Sequence, residues 1–75
     1  MRKEQPIMTS KTPTIKLDQF LKWMGIAATG GEAKIMIQNG EVQVNGTTET
    51  RRSRQLVSGD FVMVGGETYN VELNG

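Results

Sequence analysis

The apolar residues of this chain change their period once, and that change divides it. From Leu17 they fall at Leu17, Phe20, Leu21 and Met24, the i, i+3, i+4, i+7 stripe of one helical face. Asp18 sits in the first turn of that helix, where the dipole favours a negative charge, and Gly25 closes it. Trp23 falls off the stripe beside Lys22 and is expected to cover the edge of the core. A lone Trp without aromatic neighbours makes no stacking platform. Ile26-Ala27-Ala28 leads into a second helix, roughly Gly31 to Asn39, where Ala33, Met36 and Ile37 repeat the helical spacing. Ile35 is expected to widen that apolar arc, and Lys34 to face solvent. Each helix has one apolar stripe, so the helix–turn–helix-like pair must pack against something else.

After Gly40 the period becomes two. Glu41 to Val44 reads as a strand, Asn45-Gly46 as a hairpin turn and Thr47 to Thr50 as the returning strand. Leu56-Val57 returns to the core, Ser58-Gly59-Asp60 turns, and Phe61 to Val64 reads as a buried strand. Gly65-Gly66 is a second two-residue turn, followed by a last strand from Thr68 to Leu73 in which Tyr69, Val71 and Leu73 alternate. The predicted class is α+β, with two short helices packed on a small, mostly antiparallel sheet. Residues 1–12 are polar and lack any period, so they read as a flexible N-terminal tail ahead of a single domain over residues 13–75.

Composition removes most chemistries. The 75 residues include no cysteine and no histidine, which excludes disulfides, thiolate metal sites, imidazole bases and Cys- or His-dependent triads. No apolar run reaches the roughly 18 residues that span a bilayer, and no signal-type apolar region opens the chain. A cytoplasmic protein is expected. The net charge is only +1, but it is unevenly placed. Residues 11–54 carry a net +3 and residues 55–75 a net −3, the latter from Asp60, Glu67 and Glu72. Such a split predicts one basic face and one acidic end.

Two features suit phosphate. Arg51, Arg52 and Arg54 put three guanidinium groups into four residues, and the planar fork of each can donate two hydrogen bonds to a phosphate. On an extended segment Arg52 and Arg54 would share a side, with Arg51 opposite; the structural alternative is a solvated loop paired with Glu41 or Glu49. The second feature is the capping-box spacing of Thr29 and Glu32 around Gly30-Gly31, a helix start with open N–H groups. Its structural alternative is a tight turn needing positive φ. The Walker pattern is absent, so nucleotide hydrolysis has no support. The carboxylates Glu4, Asp18, Glu32, Glu41, Glu49, Asp60, Glu67 and Glu72 each have an ordinary structural place, and a core this small can hardly enclose a pocket. No enzyme activity, cofactor or metal is expected.

The run Ile15-Lys-Leu-Asp-Gln-Phe-Leu-Lys-Trp-Met-Gly-Ile, then Gly31-Glu-Ala-Lys, Ile37-Gln-Asn-Gly-Glu-Val-Gln-Val-Asn-Gly and Ser58-Gly-Asp, resembles the RNA-binding domain named after ribosomal protein S4. The resemblance covers about residues 14–65 and is nearest to small stand-alone bacterial members. It implies an L-shaped motif (αL) of two helices, loop and hairpin that cradles structured RNA through its phosphates. Carried over by position, it implicates Lys16, Lys34, the helix start at Thr29, Gly30 and Gly31, and Gln38. Asn45 and Gly46 would serve the hairpin more than the ligand. Lys22 and the Arg51, Arg52, Arg54 run join the candidate site from charge placement. Many members carry Arg with Ser or Thr where this chain has Gly30 and Gly31, so a charged contact is missing and specificity does not transfer. Enzyme activities of larger members are not inherited either.

The expectation is a monomeric RNA-binding protein that recognises structured RNA by backbone charge and shape, with a ribosome or tRNA association. A ribonucleoprotein partner could add surface, and no membrane is involved. The rivals are a protein-interaction module within a ribonucleoprotein, using the acidic end or an edge strand, and a duplex-DNA binder with the second helix as reader.

Overall fold

The computed structural model describes residues 13–73, so the tail expected over residues 1–12 lies outside it. In chain order the elements are β1 (Ile15–Lys16), α1 (Leu17–Trp23), α2 (Gly30–Gln38), β2 (Val42–Val44), β3 (Thr47–Thr48), β4 (Gln55–Leu56), β5 (Phe61–Val64) and β6 (Glu67–Asn70). The architecture is the expected α+β.

Both helices stop by the same device. In α1 the N–H of Gly25 donates to Lys22 O (3.1 Å) and that of Ile26 to Leu21 O (2.9 Å). In α2 the N–H of Gly40 donates to Ile37 O and that of Glu41 to Met36 O, both at 3.1 Å. This is the Schellman pairing, and it requires the left-handed φ of +76° at Gly25 and +78° at Gly40. It also explains one departure from the sequence reading. Met24 was expected on the buried stripe, but it is the C-cap of α1, where the chain turns away, and it is 44% exposed.

Helix α2 starts and ends one residue earlier than expected. Thr29 caps it, its Oγ1 accepting from Glu32 N–H at 3.1 Å. Glu32 reaches back one residue beyond the cap, its Oε1 accepting from Ala28 N–H at 2.7 Å. Ile35 does not widen the apolar arc. At 100° per residue it lies about 160° from both Ala33 and Ile37, which point into the core, and so it faces outward.

Four strands form an antiparallel sheet in the order β3-β2-β5-β6, and β1 pairs antiparallel with β4 in a separate two-stranded piece. Asn45-Gly46 and Gly65-Gly66 close two-residue hairpins between Val44 and Thr47 and between Val64 and Glu67. All four turn residues have positive φ, the geometry that matches the strands' twist. The last strand begins at Glu67 and ends at Asn70, shorter than the expected span. Val71 leaves β5 because its N–H and C=O pair instead with Asp60 O (2.9 Å) and Gly59 N–H (3.1 Å).

The core lies between the helix pair and the sheets. Leu17, Phe20 and Leu21 of α1, Ala33 and Ile37 of α2, and Val42, Leu56, Val62 and Val71 are all essentially inaccessible. Trp23 meets this core only through an edge-on contact with Phe20, ring centroids 6.4 Å apart at 68°, and most of its indole is exposed. It lines an open cleft with Pro13, Thr14, Ile15, Gln19, Glu72 and Leu73.

Candidate nucleic-acid interface

The basic run is not extended. Arg54 N–H donates to Arg51 O at 3.2 Å, which folds residues 51–54 into a turn and changes which arginines share a side. Arg51 and Arg54 converge on Glu49, while Arg52 stands at the exposed tip. Arg51 donates to Glu49 three times, from its backbone N–H (3.0 Å), Nε (3.0 Å) and Nη2 (3.2 Å). Arg54 Nε lies 3.3 Å from the other carboxylate oxygen. The expected pairing of Arg52 with Arg54 is therefore replaced. The reason is a covered carboxylate two residues upstream: the Glu49 side chain is only 13% exposed, so it cannot turn to water.

This clamp sets the charge states. The side-chain and backbone hydrogen bonds from Arg51 hold Glu49 down to about 2, against the opposing effect of burial. Glu49 in turn raises the pKa of Arg51. Two of the three arginines thus have an intramolecular partner. Among the described residues, Arg52 is in no ion pair.

The turn is also fixed to the first helix. The Lys16 side chain provides no cap for α1. Instead the free N–H groups of Leu17 and Asp18 donate to the carbonyls of Arg54 (2.8 Å) and Arg52 (3.1 Å). The β1–β4 ladder sets Lys16 opposite Gln55, one residue past Arg54. The backbone of the turn is thereby tied to the start of α1 next to Lys16, nearly forty residues away in the chain.

A second group lies on α2. Gly31, Lys34 and Gln38 fall within an arc of about 60° on the exposed side of the helix, with the Thr29 cap and Gly30 at its start. Neither glycine has positive φ, so the tight-turn explanation for them does not hold. An added Cβ would meet nothing within 4 Å at Gly30 and only Thr29 Oγ1, at 3.8 Å, at Gly31. Among the described residues no hydrogen bond or ion pair joins this group to the cationic turn. Lys22 belongs to neither; it is exposed in the last turn of α1, about 9 Å along the axis from Lys16.

Asn45 is scaffold, as expected. Its Oδ1 accepts from Phe61 N–H (2.9 Å) and its Nδ2 donates to Asp60 Oδ1 (3.0 Å). Glu49 is the residue whose role the charge reading underweighted; an acid two positions before Arg51 was the available signal. No three Asp or Glu residues among those described could hold a metal ion, and no described helix is long and apolar enough to cross a membrane.

The chain is 38% identical over 61 residues to the "Putative RNA-binding protein YbcJ" of Escherichia coli (strain K12), covering 81% of this chain and 87% of that protein. It is 42% identical over 55 residues to the "Probable ribosome maturation protein RlbA" of Bacillus subtilis (strain 168), covering 73% and 78%. Its fold matches the crystal structure of the 30S ribosomal protein S4e from Thermoplasma acidophilum with a TM-score of 0.65 and 25% identity. That match covers 85% of this chain but 34% of the larger one. The family model for the S4 domain matches residues 8–72, and the chain belongs to the S4 domain family.

Proposed function

We infer that this protein binds structured RNA, chiefly through phosphates and shape, and works in association with the ribosome or tRNA. Residues 13–75 act as one RNA-binding domain, residues 1–12 as its tail, and the protein is a monomeric, non-enzymatic, cytoplasmic component. The observation that carries the reading is the cationic turn. Glu49 and the start of α1 hold residues 51–54 in one conformation, which leaves Arg52 exposed at the tip with little ordering left to do on binding. The names of the two bacterial relatives, one for RNA binding and one for ribosome maturation, point the same way. On this reading Arg52, Lys16 and Lys34 contact phosphates, Lys22 adds to the field, and the bare start of α2 at Gly30 and Gly31 approaches the backbone closely.

Fluorescence anisotropy with a structured RNA over a salt series tests this. Three phosphate contacts give a log–log slope of about −2 to −3, at about 0.7 to 0.9 per phosphate. Each of Arg52→Ala and Lys34→Ala should then flatten the slope by about 0.7 to 0.9. Affinity independent of salt would rule out the electrostatic reading. Tighter binding of duplex DNA than of RNA in the same assay would favour the DNA alternative, and pull-downs insensitive to RNase would favour the protein-interaction one.

A further inference from the structure

Ile35 occupies the point of α2 farthest from the core and is 60% exposed. Among the described residues the fold has no use for it there, because a β-branched side chain lowers helix propensity and Ile35 is not among the apolar residues packed on the core. Gly30 and Gly31 share that property, having ordinary φ and room for a Cβ. Three positions on one nine-residue helix thus depart from what the helix itself prefers, and none has a packing reason. Local preferences broken in this way mark a surface shaped for a contact outside the fold.

The surroundings of Ile35 say what kind of contact. Gly31 and Gln38 lie about 40° and 60° to one side, with Lys34 beyond them at about 100°. Glu32 and Asn39 lie on the other side, and Glu32 is turned back onto Ala28 N–H. The result is an apolar centre, an amide one turn along, a cation at the flank and a bare backbone at the start. An A-form RNA helix offers the complement: a wide, shallow minor groove lined by ribose carbons and 2′-hydroxyls, with phosphates at its rim.

The geometry points to Ile35 and Gln38 as readers of the ribose edge of helical RNA, an inference that rests on the RNA-binding reading above. Ile35 packs on ribose carbons, the Gln38 amide hydrogen-bonds a 2′-hydroxyl, and Lys34 takes a phosphate at the rim. DNA lacks that hydroxyl, and its B-form minor groove, about 6 Å wide, does not admit a helix face.

The test is anisotropy of the full chain with an RNA hairpin and a DNA hairpin of the same sequence, over a salt series. Wild type is expected to prefer RNA. Ile35→Ala should weaken RNA binding about three- to tenfold at every salt concentration, with an unchanged slope and no loss of thermal stability. Gln38→Ala should narrow the RNA-to-DNA preference. Wild-type RNA affinity in Ile35→Ala, or equal binding of RNA and DNA by the wild type, overturns the inference and leaves RNA binding itself standing. If the wild type binds neither hairpin, both readings fall together.

Discussion

Asn45 Nδ2 donates to Asp60 Oδ1 across 3.0 Å, joining two turns fifteen residues apart. The other oxygen of Asp60 accepts from Val57 N–H at 2.9 Å, and Asn45 Oδ1 accepts from Phe61 N–H at 2.9 Å. The Val-x-Val-Asn-Gly and Ser-Gly-Asp segments are therefore one hydrogen-bonded knot. Ser58 extends it, its Oγ bonded to both the N–H (2.7 Å) and the C=O (3.2 Å) of Leu73. The most specific sequence signature of this chain is a structural fastening, one step removed from ligand.

Breaking that knot should be costly for a domain this small. Asp60→Ala leaves the part-buried Val57 N–H and the Asn45 amide without an acceptor. A loss of about 1–3 kcal/mol in urea unfolding is expected. Asn45→Gly keeps the left-handed φ of +53° accessible and removes only the side-chain bonds, so its loss should be smaller.

Acid should destabilise the fold through two carboxylates. Glu49 is lowered from 4.5 to about 2, and Asp60 is lowered by the Val57 N–H and the Asn45 amide. A carboxylate with a depressed folded-state pKa contributes stability that is complete above its unfolded value and lost as pH falls toward its folded one. Stability should therefore drop between about pH 4.5 and 2. Thermal unfolding of Glu49→Gln should be less sensitive to pH across that window, and a curve parallel to wild type would contradict the clamp.

Gly30→Ala and Gly31→Ala should each stabilise the protein by about 0.5–1 kcal/mol, since helical φ and open space accept a methyl group. Both should weaken RNA binding, because the added carbons stand where a phosphate must approach. Denaturation and anisotropy on the same samples separate the two effects. Stabilisation with unaltered affinity would remove the start of α2 from the interface.

The three arginines should not be equivalent. Arg52→Ala is expected to lower RNA affinity with little change in stability, because its side chain is exposed and outside the Glu49 clamp. Arg51→Ala removes the two side-chain donors, Nε and Nη2, from Glu49 and keeps the backbone one, and it should shift the acid midpoint upward while affecting affinity less. Equal affinity losses for the two variants would mean that the clamp opens on binding.

Much of the fold was legible in the sequence because its signals are local. Gly25 and Gly40 stop helices by pairing with carbonyls within five residues, and Asn45-Gly46 and Gly65-Gly66 set hairpins from their own φ angles. The stripe of Leu17, Phe20 and Leu21 needs only helical periodicity to share a face. The candidate residues could be named from the sequence, but their arrangement could not. An extended reading of residues 51–54 paired the wrong arginines, since the turn depends on a carboxylate that the fold covers. Lys16 joins that turn through the β1–β4 ladder and two helix-start hydrogen bonds spanning nearly forty residues, which no local pattern encodes. Met24 and Ile35 fit the apolar pattern, yet both are exposed. Periodicity gives the angle between side chains; only packing decides which angle is inside.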